Sequence, residues 1–292
     1  MVIRDRIMEK IDLCSISQLY NNKMKLVLSN ETRAAQFAVL LQNLKLFSEH
    51  ITLYISDEKG IYIQGMDSSH CSCFEARLYP TWFDEFETSQ SHALGISTVM
   101  IQKVLDIRHP KQTITMSSKG NMDKLDISFE GGPKGTMDKH FQLPLMMIEQ
   151  DLMEIGGTDS LVDVTFSSKL FSDLIHQLKT FADVANFSFT GDAITLTASG
   201  EEGSMDVSMA YADDDLIVES AIAEKPDDSW GSMNQSFSLR YISAVSAFSK
   251  LSDTIFVALG EGRPMEAKYD VGECDGGEEC YVAFYLAPRI DD

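Results

Sequence analysis

The feature that most constrains this 292-residue chain is an order of elements that runs through once and then starts again. Leu26 and Leu28 alternate with Val27 and Ser29 as a strand. A helix follows from Thr32 to about Phe47, capped by Asn30 or Thr32, with Phe37, Leu40, Leu41, Leu44 and Phe47 at three- and four-residue spacing. Ile51, Leu53 and Ile55 alternate as a strand, Asp57-Glu58-Lys59-Gly60 turns, and Ile61 and Ile63 alternate with Tyr62 and Gln64. Strand Glu75–Leu78 and Trp82-Phe83 come next. A second helix spans Ser97–Ile107, with Val99, Val104 and Ile107 among its apolar positions, and His109-Pro110 ends it. Thr113–Met116, Lys124–Phe129 and Met137–Leu143 read as strands split by glycine turns.

From Leu161 the plan restarts. Val162–Phe166 is a strand, and Ser167 or Ser168 caps a helix to about Ala182 with Phe171, Leu174, Ile175, Leu178 and Phe181 as its core side. Phe187–Phe189, Ile194–Ala198 and Met205–Tyr211 are strands, Ala212–Asp215 and Glu224–Asp228 are acidic loops, and Ser238–Leu251 is a fourth helix. Thr254–Leu259, Met265–Tyr269 and Tyr281–Leu286 close the pattern. The period is about 130 residues. It predicts an α+β fold of two similar domains, residues 26–143 and 161–292, each with two helices on antiparallel sheet. Residues 144–160 join them as an extended connector carrying Leu145, Met146, Met147, Ile148, Leu152, Met153 and Ile155 on its surface. Residues 1–25 form an N-terminal extension in which Ile3, Ile7 and Ile11 would share one side of a short helix.

Bulk properties narrow the function. No run of 18 apolar residues exists, so no membrane span is expected. Arg4, Asp5, Arg6, Glu9 and Lys10 argue against a secretory signal, and five scattered cysteines suit a reducing compartment. The formal charge of −21 argues against ordinary nucleic-acid binding, which needs Lys and Arg on phosphates. A ring with its bases inside and its acids outside escapes that objection. His70, Cys71 and Cys73 invite a metal, but no second cysteine pair stands at zinc-ribbon spacing, and packing is favoured. Asp67, Ser68 and His70 sit too close in sequence for a triad, and no Walker, Gly-x-Ser-x-Gly or His-Glu-x-x-His motif occurs. No catalytic residue, metal or cofactor is expected; a metal-dependent hydrolase using Asp67, His70 and Cys71 is the rival from another class.

Two segments carry a resemblance. Gly65 and Asp67-Ser68-Ser69 bend the chain after Ile61–Ile63, and Cys71 and Cys73 resume the alternation. This strand–turn–strand resembles the Met-Asp-Ser-Ser-His segment of the proliferating cell nuclear antigen (PCNA) family of sliding clamps. Tyr285-Leu286-Ala287-Pro288-Arg289-Ile290-Asp291-Asp292 resembles that family's C-terminus, and the likeness covers roughly Leu26 to Asp292.

The resemblance implies a DNA-clamp fold and a DNA polymerase processivity factor without chemistry of its own. It would be a homotrimeric ring whose edge strands, Thr136–Leu143 and Gly203–Ala210, pair between subunits. It implies a groove for PIP-box peptides at Met66, His70, Cys71, Cys73, Met153, Ile155, Pro264, Tyr285, Leu286, Ala287 and Pro288. Cys71 and Cys73 replace the usual aliphatics there, and Gly156 stands where the family has proline. Duplex DNA would meet bases on or beside the helices, among them Arg33 and Lys169, and we assign the contact to Lys45, Lys103, Arg108, Lys179, Arg240 and Lys250. Ala38, Val39, Asp106, Asp173, His176 and Ala247 replace expected bases, and the family's modification lysine falls near Gly191. Partners would be a polymerase, other PIP-box proteins and a clamp loader, in a nucleus or, for a viral clamp, at the site of viral DNA replication. A non-ring processivity factor and a subunit of a mixed, checkpoint-type ring are the alternatives.

Overall fold

The computed structural model describes residues 23–119, 123–149, 151–156, 160–190, 192–211, 216–220, 233–274 and 277–289. The helix expected over Ile3–Ile11, both acidic loops, Gly191 and the last three residues lie outside the described residues.

The first half runs β1 (Lys23–Leu28), α1 (Glu31–Asn43), β2 (His50–Ser56), β3 (Gly60–Met66), β4 (Ser72–Leu78), β5 (Glu85–Thr88), β6 (His92–Ser97), α2 (Thr98–Leu105), β7 (Thr113–Lys119), β8 (Lys124–Glu130) and β9 (Lys139–Pro144). The second runs β10 (Val162–Ser167), α3 (Ser168–Leu178), β11 (Val184–Phe189), β12 (Ala193–Gly200), β13 (Gly203–Ala210), β14 (Leu216–Ser220), β15 (Met233–Ser238), α4 (Leu239–Ser246), β16 (Thr254–Leu259), β17 (Met265–Glu273) and β18 (Glu279–Leu286). Each half therefore has a helix after its first and sixth strands. Local sequence starts these helices: the side chains of Asn30, Ser97 and Ser167 accept backbone N–H groups of the first turns of α1, α2 and α3.

Pairing repeats as faithfully as order does. The sheets read β5-β1-β7-β8-β9, then β14-β10-β16-β17-β18-β4-β3-β2-β6, then β13-β12-β11-β15. The nine-stranded sheet is five strands of the second half joined to four of the first. Their seam is β18 against β4, antiparallel, from Tyr281↔Arg77 to Leu286↔Ser72. Under the seam the halves share one core. The Phe47 and Phe284 rings stack at 5.1 Å, Phe248 lies 4.8 Å from Phe284, and Phe74 lies 5.6 Å from Phe47. Burying aromatic side chains of this size contributes about 1.5–3 kcal/mol each, so the seam is part of the core.

Several expectations are corrected. β5, β6, β14 and β15 were not anticipated; each ends a sheet, and an edge strand with one partner needs less apolar alternation to hold it. The helices are shorter than the apolar spacing predicts. Leu44–Leu46 is a separate 3-10 turn, and Phe181 lies beyond α3 and is 40% exposed. Val99 and Ile107 also face solvent. β9 starts at Lys139, leaving Thr136–Asp138 in the preceding turn with Met137 exposed.

Candidate docking groove and nucleic-acid interface

The turn after β3 is built by one carboxylate. Asp67 accepts hydrogen bonds from the backbone N–H groups of Ser69 (2.9 Å), Cys71 (2.8 Å) and Ser72 (2.7 Å), and from the Ser72 hydroxyl. The Tyr241 hydroxyl on α4 donates to its other face at 3.0 Å, tying the turn to the second domain. Burial alone would raise the Asp67 carboxyl, but the bonds from Ser72, Ser69, Tyr241 and Cys71 together hold it below its ordinary value. His70 sits at φ 56°, a left-handed position that closes the turn. Both Asp67 oxygens thus serve the turn. Among the described residues, no group of three or more His, Cys, Asp or Glu side chains is placed to hold a metal ion.

Register sorts the expected groove residues. Met66 pairs with Cys73 and Cys73 with Tyr285, so these three half-buried side chains form a row across β3, β4 and β18 on the sheet's outer face. Cys71 continues the row, its carbonyl accepting the Ala287 N–H at 2.9 Å. Pro264, Ala287 and His70 are exposed and Pro288 is half-buried beside them. Leu286 has the opposite parity: it is 1% exposed and belongs to the core, so only its backbone can border a groove. Burial, with the Glu75 and Asp67 carboxylates adding to it, pushes the Cys73 thiol up to about 11. It therefore stays protonated and packs as a small apolar group.

The connector passes over this face. Met146 bridges Gly95 of β6 at one point. At another, the fully buried Gln64 side chain accepts the Met153 N–H at 2.7 Å and donates to the Met153 carbonyl at 2.9 Å. Met153 and Ile155 are half-buried, while Met147 is completely exposed and Leu152 is 48% exposed. Behind Gln64, the hydroxyls of Tyr62, Tyr281 and Tyr285 converge on the Glu75 carboxylate. Sequence reasoning missed this polar cluster. Its only signal was the outward parity of Tyr62, Gln64 and Glu75, which reads equally as ordinary solvent-facing strand positions.

The four helices form a band. α1 packs on α2 and α3 on α4, and two bonds cross between domains: Gln36 to the Leu251 carbonyl at 2.6 Å and Asn43 to the Ala247 carbonyl at 3.2 Å. Lys45, Lys103, Lys179, Arg240 and Lys250 are exposed on or beside this band. Lys179 reaches the Ser243 hydroxyl of α4 at 3.4 Å. Arg108 departs from expectation. It is half-buried and donates to the Pro110 and Gln112 carbonyls at 2.9 and 2.8 Å, so it holds the turn after α2 instead of standing free.

Two sheet edges complete the surface. β9 ends the five-stranded sheet and β13 the four-stranded sheet. Their half-buried apolar residues, Phe141 on one and Met205 and Val207 on the other, pack partly against the core. The β9 edge carries Lys139 and His140 with Lys134 nearby; the β13 edge carries Asp206 with Glu201 and Glu202 at its turn.

Comparison with known proteins agrees with this architecture. The family models "Proliferating cell nuclear antigen, N-terminal domain" and "Proliferating cell nuclear antigen, C-terminal domain" match residues 13–154 and 155–289. The boundary between them falls in the connector. Proliferating cell nuclear antigen 1 of Plasmodium falciparum is 26% identical over 247 residues, 81% of this chain and 87% of its own. Proliferating cell nuclear antigen 2 of Drosophila melanogaster is 24% identical over 266 residues, 90% of this chain and 98% of its own. The crystal structure of the Entamoeba histolytica protein superposes with a TM-score of 0.78 at 24% identity, covering 91% of this chain and 99% of that one, and shares its fold. With the two family models matching consecutive stretches of the chain and the doubled clamp fold in place, the chain belongs to the proliferating cell nuclear antigen family.

Proposed function

We propose that this chain is a DNA sliding clamp and polymerase processivity factor, three copies of which close a ring around duplex DNA. The observation that carries the reading is the unfinished sheet. Within the chain, the last strand of the second half (β18) pairs with the fourth strand of the first (β4). The equivalent strands, β9 and β13, each pair with one neighbour and end their sheets. Pairing β9 of one copy with β13 of the next would repeat the internal seam and make a second nine-stranded sheet. Such head-to-tail contacts close a ring when the rotation permits. The β13 rim is acidic whereas the β9 rim sets Lys134 and Lys139 against Asp138, so charge favours that partner over a second β13 edge.

The ring needs no chemistry of its own. The helix band would face the hole, where Lys45, Lys103, Lys179, Arg240 and Lys250 make weak, sequence-blind phosphate contacts that permit sliding. The outer row of Met66, Cys73 and Tyr285, with the connector above it, would dock PIP-box peptides of a polymerase and other replication and repair proteins, and tethering raises their local concentration. A clamp loader would open the ring. The eukaryotic sources of the relatives favour work in a nucleus; a site of viral DNA replication is the other setting.

Light scattering after size-exclusion chromatography tests the ring. The expected mass is three times that of the chain, falling to one chain when Val207→Lys puts a cation on the β13 edge. A wild-type protein that stays monomeric at all concentrations, yet stimulates a polymerase, would overturn the ring reading.

A further inference from the structure

The polar cluster beneath the connector has a direction. The Gln64 amide gives one Nε2 hydrogen to the Met153 carbonyl and the other to the Tyr62 hydroxyl at 2.9 Å. Its Oε1 accepts the Met153 N–H, so the amide binds the connector backbone as a neighbouring strand would. A flipped amide would set donor against donor and acceptor against acceptor. The Tyr62 hydroxyl then donates to Glu75 Oε2 at 2.8 Å. Tyr281 and Tyr285 donate to Oε1 of the same carboxylate at 3.1 and 3.3 Å. Burial and the bond to Glu75 push the Tyr62 phenol well above its ordinary value. Tyr281 goes up to about 12 through burial and then the Glu75 charge, so both phenols remain donors at neutral pH. One connected set of hydrogen bonds thus runs from the connector, across β3 and β4, to the Tyr285 wall contributed by β18.

We propose that Gln64, oriented by Tyr62 and Glu75, is the positioning residue that seats the connector at Met153 before any partner arrives, and thereby fixes the groove at its bound width. This rests on the reading of that face as a peptide groove. The physical logic is population. Partner affinity is scaled by the fraction of molecules whose connector is seated, so losing the latch weakens binding without removing any contact to the partner. On the connector's second half Leu152 faces solvent, while Met153 and Ile155 are half-buried. The amide pair adds the two backbone hydrogen bonds that set the position of Met153.

The test uses the full chain and two measurements: hydrogen exchange of the connector by mass spectrometry, and affinity for a synthetic PIP-box peptide. Gln64→Met keeps the length and apolar body of the side chain and removes both bonds to Met153. It is expected to speed exchange at 151–156 about tenfold and weaken peptide binding about tenfold, through slower association, with exchange in the sheet core unchanged. Glu75→Gln, which cannot accept all three phenols, should give a smaller change of the same kind. Gln64→Glu supplies the check that a merely structural role would not pass. The introduced carboxyl can donate to the Met153 carbonyl only when protonated, so its connector should become better protected, after correction for intrinsic rates, between about pH 8 and about pH 5. Wild type should show no such gain. Unchanged exchange at 151–156 in Gln64→Met overturns the proposal, as does faster exchange with unaltered peptide affinity. If wild type binds no peptide, the groove reading fails instead, and exchange alone decides whether Gln64 seats the connector.

Discussion

Asp67 links a turn, a groove and a domain junction with a single carboxylate. It gathers three backbone N–H groups and the Tyr241 hydroxyl from the other domain. Asp67→Asn keeps one acceptor and loses the charge, at a cost of about 2 kcal/mol, measurable by urea unfolding near neutral pH. Because the folded-state value lies below the unfolded one, the carboxylate's contribution is present above the ordinary carboxylate range and is lost as pH falls through the folded value. The gap between wild type and Asp67→Asn should therefore narrow as pH falls below the ordinary carboxylate range. Cys73 offers a second check at this scale. With its thiol pushed from 9.0 to about 11, its thiolate fraction at mildly alkaline pH falls about a hundredfold, and alkylation of the native protein should be slower in proportion. Alkylation at the rate of a free thiol would contradict that environment. Sequence alone located the turn, since Asp and Ser signal one directly, but not what the Asp67 oxygens bind. Leu286 and Arg108 were misplaced for a related reason. Strand parity decides which side of a sheet a residue takes, and local carbonyls decide whether an arginine is free. Neither is written in residue type.

At the scale of elements, the caps of α1 and α3, the apolar spacings of four helices and the alternation of the interior strands were legible, because each element's burial is set by its own pattern. The four strands that were missed all end sheets, and the polar Glu-Phe-Glu-Thr of β5 makes sense only with its neighbour in place. The connector is the element where sequence and structure diverge most. Its exposed Met147 and Leu152 were expected, whereas its attachment to β6 and β3 was not. Gly95 allows the first attachment: a Cβ there would run into the Met146 carbonyl and lie 2.9 Å from the Ile148 side chain. Gly95→Ala should free the start of the connector and destabilise the chain by about 1–3 kcal/mol in denaturant unfolding. Loss confined to the connector, read by hydrogen exchange, would mean that the bridge forms apart from the cooperative core.

At the scale of the whole molecule, the net charge of −21 and a claim of DNA binding have to be reconciled. Among the described residues, Lys45, Lys103, Lys169, Lys179, Arg240 and Lys250 are exposed on or beside the helix band, a sparse set, so phosphate contact should be weak, and retention on DNA should come from linkage rather than affinity. Charge reversal of Lys103 and Arg240 together should lower binding to linear duplex at low salt and slow loading, while leaving trimer mass unchanged on light scattering. The repeated plan was readable because a duplicated order of strands and helices survives loss of side-chain identity. That β9 and β13 each end a sheet, the basis of the proposed ring, emerges only from the pairing of the sheets. The most direct test loads the protein onto a closed circular duplex with its loader, raises the salt, and follows release before and after a single cut. Topological linkage predicts that the clamp stays on the intact circle and leaves promptly once the circle is linear. Equal release from intact and cut DNA would contradict it.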